Sequence, residues 1–161
     1  MSVQAPATQA LEIARICHRN VVSIGAGEDI PAAARLMREK HVGYLIVTEP
    51  IAGSDLAKVV GVLTDRDIVV AVVAREVEPR SLKVGEVMTR SPLLVGEDNS
   101  LDAALGFMRD AGVRRVPVVG QHGELLGVLS VDDVLERMAE QLTNIAASIR
   151  SEQRTERLVR P

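Results

Sequence analysis

The sequence predicts an α+β fold made of two similar halves set about a pseudo-two-fold axis. Three observations predict it. First, sliding the chain by 71 positions aligns residues 11–48 with 82–119 without a gap. Identical pairs include Arg19/Arg90, Gly25/Gly96, Ala33/Ala104, Met37/Met108 and Val47/Val118. Second, the offset then falls to 66, so that Gly61-Val62-Leu63-Thr64-Asp65-Arg66-Asp67 meets Gly127-Val128-Leu129-Ser130-Val131-Asp132-Asp133. Third, each copy runs in the order strand, helix, strand, strand, helix, the alternation of an α+β unit. Two copies of so long a unit are too few for an open solenoid and suit two halves packed on each other.

Taken in order, residues 1–10 are mostly small or polar and are expected to be loosely ordered or to pack only on joining a partner. Leu11 to Arg19 predicts a short helix or turn leading into the apolar strand Val21-Val22-Ser23-Ile24. Glu28-Asp29 supplies a helix cap, with Pro31 in the first turn, where its missing N–H costs nothing. Ile30, Ala33, Ala34 and Met37 then follow the spacing of one buried helix stripe, repeated by Leu101, Ala104, Leu105 and Met108 behind Asn99 or Ser100.

Val42–Thr48 and Val113–Val119 read as strands, with Lys58–Leu63 and Glu124–Leu129 as their hairpin partners. The second hairpin turns tightly at Gly120-Gln121-His122-Gly123, and the first through the exposed loop 49–55. Helices start at Asp65 and Asp132, the first expected to bury Ile68, Val69, Val72 and Val73. The first copy is thus 11–78 and the second 79–140, joined through Glu78-Pro79-Arg80-Ser81. Residues 141–161 form a helical extension and tail. Leu135, Met138, Leu142, Ile145 and Ile149 lie on or near one face of that last helix, a face suited to a second subunit.

Composition narrows the class. The 161 residues suffice for one compact domain, and 47% are hydrophobic, with Tyr44 and Phe107 the only aromatics. An aliphatic chain with a net charge of −3 argues against a nucleic-acid binder, lacking both stacking rings and a basic field. Cys17 stands alone, so no internal disulfide forms and a reducing compartment fits. No run of eighteen apolar residues predicts a membrane span, and the start lacks the pattern of a signal peptide. The chain is expected to be cytoplasmic.

The order of these motifs resembles the CBS domain (named after cystathionine β-synthase), here in tandem. The residues carrying the resemblance are Val87-Met88-Thr89-Arg90-Ser91-Pro92, Val113-Arg114-Arg115-Val116-Pro117-Val118-Val119, and the two glycine-led stretches that end at Asp67 and Asp133. In the first copy Val42-Gly43-Tyr44-Leu45-Ile46-Val47 carries it too. The resemblance covers about 11–140 and implies a stand-alone regulatory module. It further implies two clefts for adenine nucleotides of the AMP, ADP, ATP or NAD class, homodimerisation, signalling to a downstream protein and no catalysis.

The residues suggest how such a cleft would work. A ribose needs an acceptor for two adjacent hydroxyls, which a carboxylate at a helix start provides; Asp67 and Asp133 are the candidates. A phosphate needs donors, from the hydroxyls of Thr64 or Ser130 and from free N–H groups at the helix start. An adenine needs an apolar slot, which the strands around Val62 and Val128 provide. Thr64-x-x-Asp67 and Ser130-x-x-Asp133 equally describe a capping box, with Asp in place of the usual Glu or Gln.

The resemblance implies that Arg114 and Arg115 hold phosphate, the plain alternative being a surface salt bridge by one or both, and alternation along a strand allows at most one to reach a given cleft. Gly43 and Tyr44 stand at the aligned positions, so the clefts are expected to differ in affinity. Thr89 and, at the matching place in the first copy, His18 lie where family members contact base or phosphate; His18 is otherwise a loop histidine with no role. Cys17, His18, His41 and His122 match no metal-ligand spacing, so no metal site is expected.

Overall fold

The computed structural model of the chain describes residues 13–159; residues 1–10 lie outside them. A short helix α1 (Ile13–Ile16) precedes β1 (Ser23–Gly25), α2 (Ile30–Lys40), β2 (Tyr44–Pro50), β3 (Ala57–Thr64) and α3 (Asp65–Ile68). The second copy follows a single 3₁₀ turn at Pro79–Ser81. It comprises α4 (Val84–Val87), β4 (Thr89–Arg90), β5 (Val95–Gly96), α5 (Leu101–Ala111), β6 (Arg115–Val119), β7 (Leu125–Ser130) and α6 (Val131–Val159). The expected order of elements is present twice, and the last helix runs on unbroken.

The two long helices start and stop by the same devices. Asp29 accepts the Ala32 N–H at 2.7 Å to cap α2, and Ser100, rather than Asn99, accepts the Ala103 N–H to cap α5. Asn99 instead accepts the Gly96 N–H in the turn before it. Both helices end on a left-handed residue, His41 (φ 54°) and its counterpart Gly112 (φ 66°). The buried stripe of α2 is Ile30, Ala33 and Met37. Ala34 is exposed, because the longer Leu36 reaches the core from the other flank of the stripe.

After Ile68 the chain widens into a π turn, Val69–Val73, with the Ala74 N–H bonded back to the Val69 carbonyl. An extra residue in the turn breaks the 3.6 period. Only Val72 is therefore buried, while Val69 and Val73, expected inside, are more than half exposed.

One sheet has the order β1-β2-β3-β4 and the other β5-β6-β7. In each, the leading strand lies parallel to the next, and that strand forms an antiparallel hairpin with its successor. The register slips at Val47/Thr48 and again at Val118/Val119, the same place in both copies. The Lys58–Glu124 bridge joins two residues related by the offset of 66, so it lies on the pseudo-two-fold axis. Ile46, Val59 and Val119 form a small apolar cluster between the halves.

The lead-in segments of the two copies are exchanged. β4 belongs to the second copy in sequence but pairs with β3, Val62 opposite Thr89 and Gly61 opposite Arg90. In mirror fashion His18 and Val128 exchange two backbone hydrogen bonds of 2.9 Å. Val84 and Met88 are buried in the core of the first half, and Ile13 and Ile16 in that of the second. Fully burying four such side chains contributes roughly 1.5–3 kcal/mol each. That sum rivals the ~5–15 kcal/mol net stability of an ordinary domain.

Glycine makes the exchange possible. A Cβ on Gly127 would stand 2.7 Å from the His18 carbonyl oxygen and 2.9 Å from Cys17 Sγ. One on Gly61 would run into Met88 and lie 3.0 Å from the Thr89 carbonyl oxygen. Gly127→Ala is therefore expected to destabilise the fold by about 1–3 kcal/mol in a urea melt. Gly106→Ala, inside α5 with open space at the Cβ, is expected to stabilise it by about 0.5–1 kcal/mol. Equal effects of the two substitutions would refute this account of Gly127.

Candidate functional site

The first cleft opens where β3 runs into α3. Thr64 keeps extended backbone (φ −109°, ψ 160°), and its Oγ1 accepts the Asp67 N–H at 3.1 Å. Asp67 Oδ2 in return accepts the Thr64 N–H at 2.9 Å and the Thr64 hydroxyl at 2.8 Å. The capping box is thus formed, and it engages a single carboxylate oxygen. Among the described residues none engages Asp67 Oδ1. Capping and ligand holding are therefore compatible in one side chain.

A cavity of about 520 Å³ lies in front of this carboxylate. It gathers six of the ten residues singled out from the sequence: Val62, Thr64, Asp67, Thr89, Arg114 and Arg115. Thr89 arrives through the exchanged strand β4, across from Val62. Both arginines line the cavity, against the expectation that only one would reach it. Arg114 precedes β6 in the turn after Gly112, so strand alternation does not govern it. Arg115 Nη2 is 3.9 Å from Asp132 Oδ2, and both side chains are well exposed, so the pair is loose.

The N–H groups at the start of α3 are not available to a phosphate. Thr64 donates to Asp67, Asp65 to the Gly43 carbonyl at 3.1 Å, Arg66 to Asp65 Oδ1 at 2.7 Å, and Asp67 to Thr64. This corrects the expectation of free donors there. Positive charge at the cavity comes instead from Arg66, Arg114 and Arg115, balanced by Asp65, Asp67 and Asp132.

The second cleft is smaller, about 250 Å³, and holds three of the ten: His18, Val128 and, shared with the first, Arg115. Ser130 and Asp133 form the matching cap, with the Ser130 N–H donating to Asp133 Oδ2 at 3.0 Å and the Asp133 N–H donating to Ser130 Oγ at 3.1 Å. The remaining oxygen, Asp133 Oδ1, is not spare: His18 Nε2 lies 2.7 Å from it. The Asp133 side chain is only 12% exposed beneath a histidine that is 71% exposed. Ser130 and Asp133 accordingly line neither cavity.

Tyr44 was not singled out, yet it lines both cavities, as do Gly43 and Arg115. Burial pushes its phenol well above the usual range, and the positive charge of Arg115 opposes that only in part. Tyr44 and Arg115 are related by the offset of 71. The pseudo-axis therefore sets them together as the wall between the clefts. Burial likewise raises the Cys17 thiol, more than the charge of Arg19 lowers it. Among the described residues no cluster of three or more His, Cys, Asp or Glu is placed to hold a metal, and no helix is long and apolar enough to cross a membrane.

A carboxylate oxygen outside the cap, hydroxyls, arginines and an aliphatic wall thus meet at one cavity, a set that combines acceptors, donors and an apolar surface. The family model for the CBS domain matches residues 13–74 and 84–140. The chain is 35% identical over 125 residues to hypoxic response protein 1 of Mycobacterium tuberculosis, covering 78% of this chain and 83% of that one. It is 26% identical over 128 residues to the uncharacterized protein MK0525 of Methanopyrus kandleri, covering 80% of this chain but only 63% of that protein's length. In three dimensions it resembles the CBS domain protein PAE2072 of Pyrobaculum aerophilum, solved in complex with AMP. That likeness has a TM-score of 0.66 and 28% identity, covering 76% of this chain and 89% of that one. Matched twice along its length and folded as those neighbours are, the chain belongs to the CBS domain family and carries the domain as a tandem pair.

Proposed function

We propose that this CBS pair is a regulatory module that holds one adenine nucleotide per chain, in the first cleft, and performs no chemistry on it. The observation that carries the reading is Asp67, whose Oδ1 is left over by the cap and which lines a cavity together with Thr89, Arg114 and Arg115. Asp67 accepts from the ribose hydroxyls, the arginines and Thr89 take the phosphate, and Val62 with its apolar neighbours takes the base. The cavity volume falls within the roughly 300–1,000 Å³ of small-molecule sites, whereas the second cleft falls below it. AMP in a 28% identical CBS protein supports the ligand class.

His18 accounts for the inequality of the clefts. It occupies the place in the second copy's cleft that Thr89 occupies in the first, and it covers the only oxygen of Asp133 that the cap leaves over. As a regulator the module is read as a cytoplasmic homodimer. It signals to a downstream protein only if the ligand binds two arrangements of the dimer with different affinity. A second reading, an interaction module with empty clefts, draws on the apolar face of α6 and predicts no nucleotide affinity at all.

Titration calorimetry with AMP, ADP, ATP and NAD decides between them. At least one is expected to bind with a dissociation constant of about 1–100 μM, or roughly −8 to −5.5 kcal/mol. Asp67→Asn keeps an oxygen for the cap, removes the charge, and is expected to weaken binding by about tenfold or more. Heat from none of the four nucleotides, with folded protein, would remove the sensor reading.

The stoichiometry tests His18 separately. One nucleotide per wild-type chain is expected, rising towards two in His18→Thr, which gives the second cleft the residue of the first. Two equal sites in the wild type, or an unchanged ratio in the variant, would show that His18 closes nothing.

A further inference from the structure

The second cleft differs from the first in chemistry as well as in size. Asp65, Asp67 and Asp132 line the first beside its three arginines, whereas no carboxylate lines the second. Its polar side chains are His18, Asn20, His41, Tyr44 and Arg115. Asp133, the counterpart of Asp67, stays beneath His18 at 2.7 Å and lines neither cavity. The Asn20 amide and the His41 imidazole have no side-chain partner among the described residues.

His41 stands where the first cleft has Gly112, at the offset of 71, and each lines its own cavity. Both end a long helix in the left-handed region, at φ 54° and 66°. Glycine adopts that conformation freely, whereas a residue with a Cβ is strained there. The second copy keeps the strained residue, and the strain sets an imidazole in the cavity wall.

We propose that the second cleft is a pocket for a small tetrahedral oxyanion of the phosphate class, held by His41, Asn20 and Arg115. An anion meets N–H donors there and no opposing carboxylate, while a cation meets no charged acceptor. The Tyr44 phenol, which burial keeps protonated, adds no negative charge. At about 250 Å³ the pocket is short of a nucleotide but ample for one phosphate group. The inference goes beyond the nucleotide reading and does not rest on it, because the cavity and the ligand are different.

The histidine side chains report the site by NMR. His18 and His41 line the pocket, and His122, in the second hairpin's turn, does not. Inorganic phosphate, titrated at fixed pH and ionic strength, is expected to shift His18 and His41 saturably, with a dissociation constant of about 0.1–1 mM, and to leave His122 unmoved. His41→Gly installs the residue of the first cleft. It is expected to weaken phosphate binding about tenfold or more while the thermal midpoint holds or rises. A lower midpoint with unchanged phosphate binding would make His41 a helix stop only and overturn the proposal. Equal shifts of all three histidines, no shifts, or a response without saturation would overturn it too. None of these outcomes touches the nucleotide reading, since no nucleotide is present.

Gly43, Tyr44 and Arg115 line both cavities, so the oxyanion is either a free ion or the outer phosphate of a nucleotide seated next door. ATP that displaces inorganic phosphate from His41 where AMP does not assigns the nucleotide's tail. Phosphate retained beside bound ATP assigns the free ion.

Discussion

Everything in this molecule depends on how closely the lead-in segment of each repeat approaches the glycine of the other repeat's hairpin. His18 and Val128 exchange paired backbone hydrogen bonds beside Gly127, and Thr89 and Val62 pair beside Gly61. A hydrogen bond of this kind adds only about 0.5–1.5 kcal/mol net. The larger part comes from what the segments carry: Ile13, Ile16, Val84 and Met88, all buried in the core of the opposite half. Neither repeat closes its own core. The two therefore fold as one unit, although the chain reads as two.

The same exchange builds the clefts. Thr89 reaches the first cleft only because β4 crosses to β3, and His18 reaches the second only because the first lead-in crosses to β7. Arg114 and Arg115, from the second repeat, line the cavity in front of the first repeat's Asp67. Each cleft is thus a joint product of both copies. Substitution in one copy alters the site that its partner copy caps, which is how a near-symmetrical duplication acquires unequal sites without losing its fold.

Much of the fold was legible because duplication doubles every weak signal. The cap at Asp29 and the hairpin turn at Gly120–Gly123 follow from local chemistry, which sequence states directly. The π turn after Ile68 was not legible, since one extra residue per turn leaves no mark in an all-aliphatic stretch, and Val69 and Val73 turned outward. Val62, Thr64, Asp67, Thr89 and the two arginines were legible as candidates by motif, but not as a set, because their assembly depends on the exchange. Tyr44 was missed for the same reason: its place between the clefts is a property of the pseudo-axis rather than of its neighbours in the chain.

The two carboxylates show why residue type alone does not decide a role. Asp67 and Asp133 spend one oxygen each on the same cap, with N–H to oxygen distances of 2.9 and 3.0 Å. What differs is the second oxygen, and that difference is set by a residue from the other repeat. Where the exchanged strand brings Thr89, the carboxylate keeps an acceptor at an open cavity. Where the exchanged segment brings His18, the acceptor is met at 2.7 Å and the cavity is halved. The imidazole in this contact is itself mostly exposed, while the carboxylate it meets is largely buried. On the reading proposed above, access to Asp133 in the second cleft is a competition between the imidazole and whatever a ligand offers in its place.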